Sequence, residues 1–128
     1  MICGALFNNP AGLGSMTGLD ARLLRGGWNH SFHQVRVGKF TGGYFTHPGL
    51  PYSRKDIYYS DKVNDIVVLM YGSVYNRAEL KEYFNRSDMP DPEGVAMMFL
   101  KEHEQFAAKL NGDFALFIYR PLRDEAYL

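Results

Sequence analysis

The sequence predicts one α+β domain, on three observations. An unbroken, partly β-branched apolar run occupies residues 66–70, helix starts are written at Asn76 and Asp91, and short apolar stretches elsewhere are separated by Gly- and Pro-containing segments. At 128 residues the chain has the length of a single domain with room for a core. Hydrophobic residues make up 46% and charged residues 22%, a balance that buries enough apolar surface to fold.

In chain order, residues 2–7 form an apolar run closed by Asn8, Asn9 and Pro10, which predicts a buried strand starting almost at the first residue. Residues 11–18 are small and Gly-rich, and residues 19–24 have room for one or two helical turns before Gly26 and Gly27. Phe32, Val35 and Val37 mark a candidate strand, after which Gly42, Gly43, Pro48 and Pro51 read as irregular loop. Residues 65–72 are the clearest strand, apolar on both faces and so expected to be central. Asn76 is placed to N-cap a helix over 77–84, with Glu79 as its capping-box partner. Asp91 repeats the device with Pro92 at the first helical position, opening a helix to about His103 that buries Val95, Met98 and Phe99. Asn111-Gly112 turns into a strand over 113–119, and residues 120–124 turn into a return strand over 125–128. Ending in mid-hairpin suggests a piece of a longer protein.

Fourteen basic side chains offset fourteen acidic ones, so no net field favours nucleic acid or an anionic membrane as partner. The longest apolar run, about six residues, falls far short of the roughly 18 of a membrane span, and no export signal opens the chain. The lone cysteine, Cys3, has no partner for an internal disulfide, which fits a cytoplasmic location. His30, His33, His47 and Asp20 lack the spacing of a metal motif, and no metal is expected. The aromatics, Tyr44, Phe45, Tyr58, Tyr59, Tyr71 and Tyr75 among them, read as core and rim.

Three segments in order carry a resemblance: Cys3-Gly4 at the start, Gly72-Ser73-Val74-Tyr75-Asn76-Arg77-Ala78-Glu79-Leu80 in the middle, and Leu110-Asn111-Gly112-Asp113-Phe114-Ala115-Leu116-Phe117-Ile118 near the end. Together they look like the glutaminase domain of asparagine synthetases, a class II glutamine amidotransferase. The likeness spans nearly the whole chain. It implies a four-layer α/β/β/α sandwich of the N-terminal nucleophile hydrolase type, here C-terminally incomplete.

By that resemblance Cys3 is the nucleophile, its thiolate attacking the glutamine carboxamide while its own α-amine handles the proton. Gly72 donates a backbone N–H to the oxyanion, and Arg36, Ser73 and Asp91 line the pocket for the amino-acid end of glutamine. Ammonia then passes to a C-terminal synthetase domain, or a separate synthetase subunit. ATP and Mg are expected there and no cofactor in this domain, and a homodimer is an option the sequence leaves open. Three positions depart from the family pattern. Ile2 separates Cys3 from the initiator Met1, Tyr71 replaces the oxyanion asparagine, and Ser73 replaces a glutamate. For Cys3 the plain reading is a small buried hydrophobe, and Asp91 has a sufficient role as a helix cap. The sequence thus leaves two functions open, a glutamine-hydrolysing domain and a pseudo-glutaminase that keeps the fold as a docking scaffold.

Overall fold

A computed structural model describes residues 2–6, 31–49 and 51–128. They form a small mixed α+β fold built on two antiparallel sheets. The first sheet contains β1 (Ile2–Leu6), β2 (Ser31–Val37) and β3 (Phe40–Thr46) in the order β1-β3-β2. The second contains β4 (Tyr58–Asp61), β5 (Ile66–Val74), β6 (Gly112–Arg120) and β7 (Glu125–Tyr127) in chain order. Short α1 (Arg54–Ile57) precedes β4, while α2 (Arg77–Tyr83) and α3 (Asp91–Glu102) lie between β5 and β6, with a 3-10 segment (His103–Lys109) after α3.

Strand β5 explains the layering. Its residues alternate between two cores, and both are closed to water. Val67 and Leu69 meet Val35, Phe40, Tyr44, Ile57, Phe117 and Tyr119 between the two sheets. Val68, Met70 and Val74 face the other way, onto Leu80 of α2 and Val95, Ala96, Met98 and Phe99 of α3. A strand covered on both faces is continuously apolar because each side chain leaves water, at roughly 1.5–3 kcal/mol for a full aliphatic burial. As expected from sequence, β5 is an interior strand, and Val95, Met98 and Phe99 are buried.

The segment with Gly42 and Gly43, expected to be loop, is instead the middle strand of its sheet. Gly43 is there because the backbone comes close. A Cβ on it would lie 2.4 Å from the His33 carbonyl oxygen and 2.5 Å from the Phe32 ring. Segments α1 and β4 went unread because four-residue elements carry no periodicity. The residue 19–24 helical turns lie outside the described residues.

Both expected helix caps are corrected. Asn76 makes no side-chain cap bond to α2; its Nδ2 donates to the Lys109 carbonyl at 2.9 Å and its Oδ1 accepts from the Asn111 N–H at 2.9 Å. It bridges two segments far apart in sequence. Pro90 is the N-cap of α3, with Asp91 the first helical residue and its carboxylate turned to β5.

Two ties hold the sheet ends together. Arg120, 9% exposed, donates to the Asp65 and Asn64 carbonyls at 3.1 and 3.3 Å, joining the β4–β5 turn to β6. In the other, Lys39 and the Tyr119 hydroxyl both donate to Asp124, linking the β2–β3 turn to the β6–β7 turn. Lys39 and Tyr119 hold the Asp124 carboxyl below the usual carboxylate range, and Asp124 holds the Lys39 ammonium above its own.

Two outcomes follow. Asn76→Asp keeps a capping oxygen but loses the donor to Lys109, so it should lower the urea-unfolding free energy by about 1 kcal/mol or more; no change would restore the cap assignment. A carboxyl with a depressed folded pKa stabilises above its unfolded pKa and is lost as pH falls through the folded one. Asp124→Asn should therefore flatten the acid limb of a stability–pH curve below about pH 4, and an unaltered limb would contradict the tie.

Candidate functional site

The candidate site follows from a mismatch in strand length. β5 has nine residues, while β4 pairs only with Ile66, Val67, Val68 and Leu69. Past Leu69, β5 keeps β6 on one edge and has no strand on the other. The open edge becomes a cleft of about 500 Å³, walled by Tyr52 and Lys55 before and on α1, Gly72 and Ser73 of β5, Arg77 of α2 and Asp91 of α3. A second hollow of about 540 Å³ adjoins it across Tyr52, Gly72 and Ser73 and reaches Tyr71, Tyr75 and Asp113.

Gly72 is the backbone's tight point. Its φ of +118° lies in the region that L side chains rarely adopt, and an added Cβ would meet the Asp113 carbonyl oxygen at 2.1 Å. Only glycine keeps the register with Phe114 while the chain bends here.

Asp91 seals the open edge. Its Oδ2 accepts the Val74 N–H at 2.9 Å and pairs with the Arg77 guanidinium at 3.3 Å, while Arg77 Nε donates to the Val74 carbonyl at 3.1 Å. One carboxylate and one guanidinium thus satisfy both backbone groups of the last residue of β5. At 12% exposure the Asp91 side chain is nearly out of water, whereas Arg77 is half exposed. The other cleft acids are also engaged: Asp56 accepts from the Ser53 N–H and hydroxyl at 2.8 and 2.6 Å, and Asp88 lies 3.8 Å from Arg86.

Of the residues singled out from sequence, Gly72, Ser73 and Asp91 come together on this cleft. Arg36 does not join them; it is an exposed residue of β2 in the other sheet and lines a different groove. Cys3 lies on β1 opposite Gly43, and β1 has β5 as a neighbour in the facing sheet. His33 and His47 are held by local bonds, His33 Nε2 to the Thr46 hydroxyl at 2.8 Å and His47 Nδ1 from the Gly49 N–H at 2.9 Å. His30 and Asp20 lie outside the described residues.

Sequence reasoning missed Tyr52, Lys55, Arg77 and Lys81 as cleft residues. Arg77 stood inside the middle motif and was legible there. Tyr52 and Lys55 reach the cleft through α1, for which no pattern announced a helix.

Gly72→Ala should cost at least about 1–3 kcal/mol in chemical unfolding, from strain at positive φ together with the Asp113 clash. Asp91→Ala, leaving the Val74 N–H and Arg77 without their acceptor, should cost about 1–3 kcal/mol; a neutral result for either would remove its structural role. Compared with known proteins, the chain matches no family model and no curated sequence.

Proposed function

We propose that the chain is a glutaminase-type domain of the class II amidotransferase kind, similar to that of asparagine synthetases, with glutamine as the ligand of the cleft at Gly72. The observation that carries this reading is the meeting of Gly72, Ser73 and Asp91, taken from separate segments by resemblance, on one cleft at the open edge of β5. The layering supports it. Two antiparallel sheets face each other with α2 and α3 outside one of them, and Thr41 and Phe45, on the face of β3 away from the second sheet, are 5% and 7% exposed. A middle strand of a four-layer sandwich has both faces covered in this way.

The chemistry assigned to the cleft uses groups already in position. Val74 turns its N–H to the open edge, and N–H groups two residues apart on a strand share an edge, so the Gly72 N–H is the donor for an amide oxyanion. Asp91 spends Oδ2 on Val74 and Arg77, which leaves Oδ1 for an α-ammonium group. With Arg36 in another groove, the cation for the α-carboxylate comes from Arg77, Lys55 or Lys81.

In the reaction the Cys3 thiolate adds to the carboxamide carbon and the C–N bond breaks. Ammonia leaves with the proton returned by the Cys3 α-amine, and water hydrolyses the thioester to glutamate. The amine must be free, so Met1 and Ile2 have to be removed. Ammonia serves an ATP- and Mg-dependent synthetase domain or subunit, in a cytoplasmic setting.

The pseudo-glutaminase is the second reading, favoured by two observations. Ile2 is paired with Tyr44 in β1, so with Ile2 present the Cys3 nitrogen is a strand peptide group and no base. Tyr71, at the oxyanion position, packs its ring against Tyr52 at 5.6 Å, and loss of one oxyanion donor typically costs about 10²–10³ in rate.

Intact mass and labelling separate the readings. The glutaminase reading expects loss of Met1 and Ile2, then stoichiometric modification of Cys3 by diazo-oxo-norleucine. A processed, folded chain that stays unlabelled would end it. An intact N-terminus with no glutamate released from glutamine is the outcome of the second reading.

A further inference from the structure

A second groove, about 460 Å³ in volume, runs along β2 and is bounded by α1 and β4. It is separate from the Gly72 cleft and owes nothing to the amidotransferase reading. Arg36 of β2 and Arg54 of α1 both line it, and no described residue that lines it is a carboxylate. Neither arginine has an ion pair among the described residues; Arg54 rests over the Tyr58 ring at 5.5 Å. Two guanidiniums sharing a groove without a counter-charge repel each other.

The wall is a stack of rings. His33 lies on Tyr44 at 4.9 Å and 20°, and Tyr44 on Tyr58 at 6.0 Å and 17°. Tyr44 is 2% exposed, yet its hydroxyl has no hydrogen-bond partner among the described residues. A buried phenol normally finds one. The Arg54 charge acts on this phenol, opposing the upward push of burial.

From the paired arginines, the unpartnered Tyr44 hydroxyl and the ring wall, we propose that this groove binds a small phosphate ester. Arg36 and Arg54 hold the phosphate, Tyr44 donates to it, and Tyr58 and His33 pack against the organic group. Two unneutralised cations match a dianion better than a monocarboxylate, and guanidinium is the side chain suited to forked phosphate recognition. The volume lies within the roughly 300–1,000 Å³ of small-molecule pockets and leaves space for more than phosphate alone.

Phenyl phosphate is the probe, titrated into the full chain by calorimetry and by ³¹P line broadening, with inorganic phosphate and acetate alongside. Saturable one-to-one binding is expected, with phenyl phosphate the tightest of the three and acetate weaker by about tenfold or more. Arg36→Ala and Arg54→Ala, both at exposed positions, should each weaken it about tenfold. Tyr44→Phe should weaken it severalfold while the unliganded Tm stays level or rises, because the lost hydroxyl had no partner. Lys55→Ala, in the other cleft, should leave it unchanged. The proposal is overturned by absence of saturable binding, by unchanged affinity in both arginine variants, or by a Lys55→Ala loss as large as theirs.

Discussion

The architecture depends on one unfinished edge. A strand must satisfy its N–H and C=O groups on both sides or expose them to water, and β5 outruns its neighbour β4 by five residues. Along that overhang the sheet cannot close on itself. The chain answers with side chains, Asp91 and Arg77 taking the backbone groups of Val74. This solution seals the end of the overhang and leaves Gly72 and Ser73 beside a hollow. The cleft is therefore a by-product of how β5 is terminated, and the residues that end the strand are the ones that furnish the site.

Around that edge, the fold is rigid for reasons of packing. Val67 and Leu69 are locked into the aromatic layer between the sheets, Val68 and Met70 into the aliphatic layer under α2 and α3. Asn76 ties the start of α2 to the segment entering β6. Moving Gly72 means disturbing two cores and that tie together. Such overdetermination is what allows a backbone conformation of positive φ, opposed by a carbonyl only van der Waals distance away, to persist.

Charge is distributed unevenly although the totals cancel. The Gly72 cleft mixes acids and bases, and its acids are each committed to a backbone group, a hydroxyl or an arginine. In the groove beside β2 the described lining has arginines and no carboxylate. A net charge of zero argues against long-range attraction to a polyanion; it does not argue against a local anion site, where the field is set by the nearest few groups.

Read alone, the sequence determined the things that depend on composition and local order. An unbroken apolar run at residues 66–70 has to be buried on both faces, so its interior position was legible, as were α2, α3 and the two strands that follow them. Gly72, Ser73 and Asp91 were legible through the motif around them. Tertiary structure decided what polar side chains bond to. Asn76 and Asp91 both have the short oxygen of a helix cap, and each instead satisfies backbone from a distant segment. It also decided that Gly42 and Gly43 sit inside a strand, since closeness to Phe32 and His33 is a property of the sheet, and that Arg36 and Gly72 belong to different hollows. The physical reason is one and the same: hydrophobic burial is nearly additive along a segment and shows in its pattern, whereas a hydrogen-bond partner is chosen by geometry that exists only after the sheets have paired.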